Sequence, residues 1–482
     1  MLEQLQPQRV FYYFEKLCGI PHGSGNTKQI SDFCVDFAKE HNLEYYQDAD
    51  NNVIIIKEAT AGYENADAVI IQGHLDMVCE KTADCKKDME KEGLDIYIDG
   101  EEIRAKDTTL GGDNGIAVAM ALAILESNDI EHPRLEAVFT VDEEIGLLGA
   151  GSLDVSPLKA AMLINLDSED EGVFTVSCAG GNSAICKLPI QKENYAGCVC
   201  EIEITGCKGG HSGIEIDKGR SNPNMLMGRL LQDIMLQTQI QLISVDGGLK
   251  DNAIPVQSKA VIACKDEQGV SFITDSVKKM EKLFKNEFSS SDPDVTIALT
   301  TKNVESVQVI NEDSTQKIVC LLTAMPNGVQ VMSADIEGLV QTSLNLGIVK
   351  TYDEYVQLSF GVRSSIDSEK EMMNRRLRML IEQLGGTMEI EGDYPGWEYK
   401  KESKLRDKMI EVFKEQYGRE PKVEAIHAGL ECGIFVGKMP GLDCISLGPD
   451  LKEVHTVGEH LNIPSVQRVY AFVLEILKRM KA

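Results

Sequence analysis

The stretch "VIIQGHLDMVCE", residues 69–80, runs from a series of apolar residues directly into a histidine, with an aspartate two positions later. A short apolar run rich in Val and Ile predicts a buried strand of the kind found in parallel sheets that helices cover on both faces. In open α/β sheets, ligands bind at the carboxyl ends of such strands. His74 and Asp76 therefore stand where a binding or catalytic group is expected.

Helices and strands alternate on both sides of this stretch. Helical periodicity precedes it in "TKQISDFCVDFAKEH" (27–41), and a helix of small and apolar residues follows in "GIAVAMALAILES" (115–127). Two more apolar strands are predicted at "LEAVFTV" (135–141) and "AMLINLD" (161–167). This alternation predicts an α/β fold with a mostly parallel sheet flanked by helices.

The middle of the chain follows a different order of elements. From about residue 181, the pattern becomes β-α-β-β-α-β, and a second, less regular pass of the same kind follows up to residue 396. That order is typical of the ferredoxin-like split unit. We therefore predict a catalytic metal-binding domain built from residues 1–180 and 397–482, with an inserted α+β lid domain of two ferredoxin-like halves at residues 181–396.

Composition excludes several classes of partner. Among the 482 residues, Asp and Glu number 77 against 48 Lys and Arg, and the net charge of −29 repels nucleic acid and anionic membranes. No apolar run approaches a membrane span, and the first residues lack the apolar core of a signal peptide. The 13 cysteines form no CxxC pair, which is typical of reduced thiols in a cytoplasmic protein.

Five clusters of polar residues follow an apolar strand or begin a helix. They are "VIIQGHLD", "LGGDNG", "AVFTVDEE", "MLINLD" and "CISLGPDLKEVH". Together they offer two imidazoles and three carboxylates, from His74, Asp113, Glu144, Asp167 and His455. Imidazole and carboxylate ligands suit zinc, manganese or cobalt, and one carboxylate can bridge two ions. The sequence predicts a site for two divalent cations at one edge of the sheet.

Two further acids have a predicted role at such a site. Asp76 can accept the other ring N–H of His74 or of a neighbouring ligand and so fix its orientation. Glu143, beside Glu144, can take a proton from a metal-bound water and deliver it to a leaving amine.

Each cluster also has a simpler interpretation as an ordinary hydrogen-bonded histidine, a solvated loop or a helix cap. The glycines of "PHGSGN" (21–26) lack the strand and helix of a nucleotide-binding motif and predict only a loop. Because four clusters coincide at predicted strand ends and a fifth begins a helix, the metal site is the favoured interpretation.

Motifs along the whole chain carry a family resemblance. The motifs are "GHLDMV", "GGDNGIA", "DEEIGLLGA", "NLDSED", "GGHSG", "NAIP", "HAGLECGIF" and "EVHTVGEHLNIPS". The chain resembles the dinuclear zinc exopeptidases that include carnosinases, and most closely the aminoacyl-histidine (Xaa-His) dipeptidases. This resemblance implies one zinc held by His74, Asp113 and Asp167 and a second held by Asp113, Glu144 and His455. It also implies a cis peptide bond after Asp113.

The resemblance further implies roles outside the ligand set. Asp76 would be the orienting acid and Glu143 the general base, while His211 of the lid would stabilise the oxyanion of the tetrahedral intermediate. Asn252 and Arg363 would hold the substrate, and Arg363 would pair with its free carboxylate. Relatives often dimerise through the lid, so a homodimer formed in this way is one expectation, and a doubled lid that caps the site within one chain is the other.

The expected function is that of a cytosolic metallodipeptidase. It would hydrolyse Xaa-His and related carnosine-like dipeptides through a hydroxide bound to the two metals. Family members with Asp at the position of Asp167 tend to be dipeptidases or aminopeptidases, whereas Glu tends to mark carboxypeptidases and deacylases. A metal-dependent N-acyl amino acid deacylase and a non-catalytic metal-binding protein are the alternatives, and the latter has no need of Glu143 beside Glu144.

Overall fold

The structure is a computed structural model that describes residue 2 and residues 4–481, apart from the side chains of residues 304 and 305. The chain divides into two compact units. The first unit comprises the described residues up to Cys178, Trp397–Ala425 and the chain from Leu430 onward, and the second comprises Ala179–Gly396 and Ile426–Gly429. Residues 426–429, which the sequence interpretation assigns to the last catalytic segment, thus belong to the second unit.

The first segment of the first unit begins with two helices, after which strands and helices alternate. In chain order its elements are α1 (Gln8–Cys18), α2 (Lys28–Glu40), β1 (Glu44–Gln47), β2 (Val53–Lys57), β3 (Val69–His74), β4 (Ile96–Asp99), β5 (Glu102–Ala105), α3 (Gly112–Glu126), β6 (Leu135–Thr140), α4 (Leu148–Ser152), β7 (Met162–Asn165) and β8 (Val173–Cys178).

The second unit contains longer strands and a single short 3-10 turn at Ile216–Lys218 among its described residues. Its elements are β9 (Gly180–Pro189), β10 (Lys192–Thr205), β11 (Gly210–His211), α5 (Pro223–Met235), β12 (Ile240–Gly247), β13 (Ala253–Ile254), β14 (Ser258–Cys264), α6 (Glu267–Glu287), β15 (Thr296–Ile310), α7 (Glu312–Ala324), β16 (Gly328–Met332), β17 (Val340–Thr351), β18 (Tyr355–Ser364), α8 (Asp367–Gln383) and β19 (Thr387–Tyr394).

The last part of the chain returns to the first unit. Its elements are α9 (Lys404–Tyr417), β20 (Lys422–Ile426), α10 (Glu431–Lys438), β21 (Asp443–Ser446), β22 (Leu451–Lys452), β23 (His460–Asn462) and α11 (Ile463–Lys478). Among the described residues, the structure contains no helix with the length and hydrophobicity of a membrane span.

The main sheet of the first unit has the strand order β1-β2-β6-β3-β7-β21-β8-β20. Its central strands β6, β3, β7 and β21 are parallel, as predicted, whereas the pairs β1–β2, β2–β6 and β21–β8 are antiparallel. All residues of β3 and β6 are buried, because helices pack on this part of the sheet. The carboxyl ends of β3, β6 and β7 therefore lie side by side.

Helix α3 packs closely against β3 because Gly73 has no side chain. A Cβ atom at Gly73 would lie 2.3 Å from Asn114 Oδ1 and 2.8 Å from Ala117 Cβ. The close approach holds the start of α3, where Asp113 and Asn114 have non-helical backbone angles, beside the end of β3. The peptide bond between Asp113 and Asn114 is cis, which confirms the expectation from the resemblance.

A small four-stranded sheet with the order β22-β23-β5-β4 carries the last polar cluster. Strands β22 and β23 are antiparallel, so residues 453–459 form the loop that joins them. His455 lies in this loop with a φ of 61°. The hairpin β4–β5 thus serves as the support for one of the predicted metal ligands.

The second unit confirms the prediction of two ferredoxin-like halves. Strands β10, β12, β14 and β15 with helices α5 and α6 form the first half, in the sheet order β15-β10-β14-β12. The second half has the mirrored order β17-β18-β9-β19 and uses helices α7 and α8. Its first strand, β9, precedes the whole first half in the sequence, so the first half is inserted into the second.

Candidate metal centre

The carboxylate of Asp113 is shared between two histidines. Its Oδ1 lies 3.1 Å from His74 Nε2, and its Oδ2 lies 3.3 Å from His455 Nε2. Each imidazole faces a second carboxylate as well, because His74 Nε2 is 3.4 Å from Asp167 Oδ1 and His455 Nε2 is 3.0 Å from Glu144 Oε2. The structure therefore brings together all five ligand candidates, in two groups that meet at Asp113.

Each of these side chains stands at the end of an element of the first unit. His74 ends β3, Glu144 follows β6, Asp167 follows β7, Asp113 begins α3, and His455 lies in the loop after β22. Parallel neighbours place the ends of β3, β6 and β7 at one edge of the sheet. This is the edge at which open α/β sheets bind ligands.

The donor chemistry fits divalent cations. Ligand atoms of His74, Asp113 and Glu144 lie within 4.8 Å of one another. Burial raises the pKa of Asp167 to about 6, and hydrogen bonds to Asp113 and Glu144 raise the pKa of His455 to about 10. Grouped carboxylates of this kind are costly to bury unless cations neutralise them. Two imidazoles and three carboxylates are a suitable ligand set for a pair of such cations.

Asp76 is fully buried. Its carboxylate contacts neighbouring chain segments more closely than it contacts the ring of His74. Its Oδ1 accepts a hydrogen bond from the backbone N–H of Glu143 (3.1 Å), and its Oδ2 accepts one from the hydroxyl of Ser24 (2.8 Å). His74 Nδ1 lies 2.9 Å from the backbone oxygen of Asp76 and 3.5 Å from the carboxylate. Since Nδ1 faces acceptors, it carries a proton, and Nε2 faces the other ligand candidates.

Glu143 lies next to the cluster without contacting either histidine through a hydrogen bond. Burial raises the pKa of its carboxyl well above the usual range, although the charge of His74 opposes that rise. A buried carboxyl beside the ligand candidates stands where a group that accepts and returns a proton is required. The position of Glu143 is consistent with the predicted role.

Glu459 holds the backbone of the turn that presents Asp113. Its Oε2 accepts hydrogen bonds from the N–H groups of Leu110 (2.7 Å) and Gly111 (3.1 Å). Its Oε1 accepts from those of Gly112 (2.8 Å) and Asp113 (3.3 Å). Glu459 is only 3% exposed. Its carboxylate thus satisfies the backbone N–H groups at the start of α3, which have no partner within the helix. The sequence interpretation assigned no role to this residue, although it lies within the quoted motif "EVHTVGEHLNIPS".

A buried hydrogen-bond network connects the strands that carry the ligand candidates. Glu431 Oε2 accepts hydrogen bonds from Gln72 Nε2 (2.5 Å) and Thr140 Oγ1 (2.8 Å). Gln72 Oε1 in turn accepts one from Asn165 Nδ2 (2.5 Å). Burial raises the pKa of Glu431 to about 7. Because Gln72 and Asn165 each lie two residues before a ligand candidate, the network aligns β3, β6 and β7. Sequence reasoning missed Glu431, whose contacts are distant in the chain.

In the second unit, His211 has a defined tautomer. Its Nδ1 accepts hydrogen bonds from the backbone N–H groups of Gly213 (3.2 Å) and Ile214 (3.3 Å). Burial and the charge of Arg363 both lower the pKa of the imidazole. A neutral His211 therefore carries its proton on Nε2, which remains a hydrogen-bond donor. The imidazole also caps the glycine-rich turn, and the same contacts orient its other nitrogen.

Arg363 and Asn252 belong to the same unit. On the sheet, Arg363 pairs with Ser343 of β17 and with Gly181 of β9, and Gly181 also pairs with Tyr394 of β19. Paired residues share a face, and Arg363 Nη1 donates a hydrogen bond to the Tyr394 hydroxyl (3.2 Å). Asn252 is exposed, and its backbone oxygen accepts a hydrogen bond from the N–H of the residue after His211.

Comparisons with known proteins identify the family of the chain. Residues 70–479 match the model of peptidase family M20/M25/M40. The chain belongs to this family. It is 37% identical to the cytosol non-specific dipeptidase of Escherichia coli (strain K12), with 100% of this chain and 99% of that protein covered.

Two solved structures are similar to the chain in fold. The crystal structure of an aminoacylhistidine dipeptidase from Vibrio alginolyticus has a TM-score of 0.91 and 35% identity, and the match covers 99% of this chain and 98% of that one. Aminopeptidase PepT from Bacillus cereus has a TM-score of 0.56 at 16% identity, with 99% and 100% covered, and shares the fold. The family predicted from the motifs is confirmed, and so is its class as a hydrolase of the metallopeptidase type.

The role of Glu459 leads to a prediction about metal affinity. In Glu459→Gln, an amide NH₂ group faces backbone N–H donors, so the turn that presents Asp113 loses about half of its acceptors. We expect the free energy of unfolding of the metal-free protein to fall by about 1–3 kcal/mol. We also expect weaker binding of Zn²⁺ in competition with a chelator. Glu101→Gln, an exposed acid beside β5, is the matched control, and equal metal affinity of the two variants would contradict this role.

Proposed function

We propose that the protein is a metal-dependent dipeptidase of the cytoplasm that hydrolyses Xaa-His and related, carnosine-like dipeptides. The observation that carries the proposal is the placement of Asp113 between two imidazole–carboxylate pairs. Similarity to a cytosol non-specific dipeptidase and to an aminoacylhistidine dipeptidase, each over nearly the full chain, supports the choice of substrate.

In this proposal two Zn²⁺ ions are bound, although Co²⁺ or Mn²⁺ would suit the same donors. His74, Asp113 and Asp167 would hold one ion, and Asp113, Glu144 and His455 would hold the other. The ions would polarise the scissile carbonyl and lower the pKa of water from 15.7 to about 7.

Proton transfer is assigned to Glu143. Its carboxylate takes a proton from the attacking water and then delivers it to the nitrogen of the leaving amino acid. Asp76 supports this step because it fixes the backbone of Glu143 and faces His74 on its other side. The general base Glu143 and the ligand candidate Glu144 are thus adjacent in the chain, and the Asp76 carboxylate accepts hydrogen bonds from the backbone N–H groups of both.

The second unit provides the groups that hold the substrate. Arg363 pairs with the free carboxylate of the dipeptide, with its guanidinium oriented by the Tyr394 hydroxyl. His211 donates its Nε2–H to the oxyanion, since its Nδ1 is already occupied by backbone N–H groups. Asn252 precedes β13, which pairs with β11, and its backbone oxygen accepts a hydrogen bond from the residue after His211, so we assign it as a further substrate contact. A homodimer formed through this unit stays a prediction, which sedimentation velocity can test.

The proposal is tested with a panel of dipeptides that includes β-alanyl-histidine, alongside N-acetyl amino acids. We expect the Zn²⁺-loaded protein to hydrolyse the dipeptides and to leave the acetylated amino acids almost unchanged. Glu143→Gln should retain two bound ions yet lose about 10²–10⁴ in kcat, because only proton transfer is removed. Glu40→Gln, an exposed acid at the end of α2, should behave like the unmodified protein.

Preference for N-acetyl amino acids would instead favour the deacylase alternative. Near-normal turnover by metal-loaded Glu143→Gln would remove Glu143 from the mechanism. Metal content measured by atomic emission separates loss of ions from loss of the base.

A second prediction concerns His211 and separates its two hydrogen-bonding nitrogens. His211→Ala removes both the turn cap and the Nε2 donor, whereas the side-chain oxygen of His211→Asn can still accept from the turn. We expect both variants to keep their metal and to lose about 10²–10³ in kcat, and to lose more affinity for a phosphinate transition-state mimic than for substrate. Recovery of turnover in His211→Asn would show that His211 serves only as a cap.

A further inference from the structure

The loop "PHGSGN", residues 21–26, is bonded directly to the residues that surround the metal centre. Ser24 donates its hydroxyl to Asp76 Oδ2 (2.8 Å), and the N–H of Gly25 donates to Asp142 Oδ1 (2.6 Å). Gly23 forms a parallel bridge with Met77, three residues after His74. Both partners of this loop, Asp76 and Asp142, flank the side chains of the site. The loop therefore has a fixed position beside them.

A cavity of about 650 Å³ in the first unit is lined by this loop and by the metal-ligand candidate Glu144. The other walls are residues 77–79, residues 89–91 and Ile145. The volume lies within the range of about 300–1,000 Å³ that is typical of small-molecule sites. A concave space thus begins at one of the proposed metal ligands and extends along the loop.

Four apolar side chains line one part of this cavity, beside polar and charged groups of Ser24, Asn26, Glu90, Lys91 and Glu144. Met77 is buried, Val78 and Met89 are half-buried, and Ile145 is exposed at the edge. Methionine side chains adapt to ligands of different shape, because they are unbranched and polarizable. The apolar part of the walls suits aliphatic and aromatic side chains of several sizes.

The chemistry of peptide hydrolysis indicates which part of a substrate reaches this cavity. The scissile carbonyl carbon is bonded to the Cα of the N-terminal residue, so a carbonyl polarised beside Glu144 brings that residue's side chain to the adjoining surface. The leaving amino acid, by contrast, carries the carboxylate assigned to Arg363.

We propose that the cavity bounded by residues 23–26, 77–79 and 89–91 binds the side chain of the N-terminal residue of the dipeptide, and that it accepts medium and large apolar side chains. This inference rests on the proposed function. It also gives the loop "PHGSGN" a role, since the loop forms one wall of the cavity and bonds to Asp76.

The test changes the volume of the cavity and measures selectivity. Gly-Ala, Leu-Ala and Phe-Ala differ only in the N-terminal side chain. We expect Met89→Trp to lower the ratio of kcat/KM for Leu-Ala to kcat/KM for Gly-Ala by about 10-fold or more. Space for a single methylene group in an apolar pocket changes discrimination in kcat/KM by about 10–200-fold. Met89→Ala should raise kcat/KM for Phe-Ala relative to Leu-Ala. Met379→Trp, an exposed methionine on α8, is the matched control and should leave both ratios unchanged.

A chemical variant of the test avoids any effect on folding. Cys79 is exposed on a wall of the cavity, so N-benzylmaleimide added to the folded, metal-loaded protein should fill the space. We expect the adduct to hydrolyse Leu-Ala at least several-fold less well relative to Gly-Ala, and Cys79→Ser to be insensitive to the reagent. Hydrolysis of dipeptides with unchanged ratios in the adduct and in both Met89 variants would overturn this inference. Absence of any dipeptide hydrolysis by the unmodified protein would overturn the proposed function instead.

Discussion

The geometry of the site depends on the carboxylate of Asp113, because each of its two oxygens contacts a different histidine. Asp113 places Oδ1 near His74 and Oδ2 near His455, so it connects the end of β3 with the loop between β22 and β23. The two histidines are 381 positions apart in the chain (455 − 74), and their spacing depends on the orientation of this side chain. Much of the surrounding structure fixes that orientation. Glu459 accepts hydrogen bonds from the turn, and Gly73 allows α3 to approach the sheet.

Asn114 adds a second constraint at the same turn. Its Oδ1 accepts a hydrogen bond from the N–H of His74 (3.2 Å), and its Nδ2 donates to the backbone oxygen of Leu166 (2.8 Å). The residue after Asp113 therefore holds the ends of β3 and β7 at fixed positions. Few of these contacts add binding chemistry of their own. They restrict the ligand candidates to one arrangement before any cation binds, which reduces the cost of organising the site.

Charge explains why so many acids are buried in this part of the first unit. Burial raises the pKa of Asp167 to about 6, that of Glu431 to about 7 and that of Glu143 well above the usual range. Ionised carboxylates at these positions oppose one another unless cations lie among them. The fold accepts this arrangement because hydrogen bonds and divalent cations can stabilise it. Stability and metal binding are thus two properties of the same residues.

The strand ends and the order of elements could be predicted from the sequence, because apolar runs followed by His74, Glu144 and Asp167 are local patterns. Strand β9 was missed as the first strand of the second ferredoxin-like half, since the first half separates it from α7. Ser24 and Glu431 were missed for a related reason. Their partners are 52 and 359 positions away, and no local pattern indicates such contacts. The roles of His211 and Arg363 came from the family resemblance, and the structure adds the hydrogen bonds that orient them.

Zinc stoichiometry in Asp113→Asn tests the central claim most directly. The metal-free protein, titrated with Zn²⁺ in a calorimeter, should bind two ions per chain. The variant retains the shape of the side chain but loses the charge and one of the two acceptor oxygens, so both binding events should weaken by at least about 10-fold. Asp95→Asn, an exposed acid before β4, should bind like the unmodified protein. Two ions bound with unchanged affinity in Asp113→Asn would show that Asp113 does not organise the site.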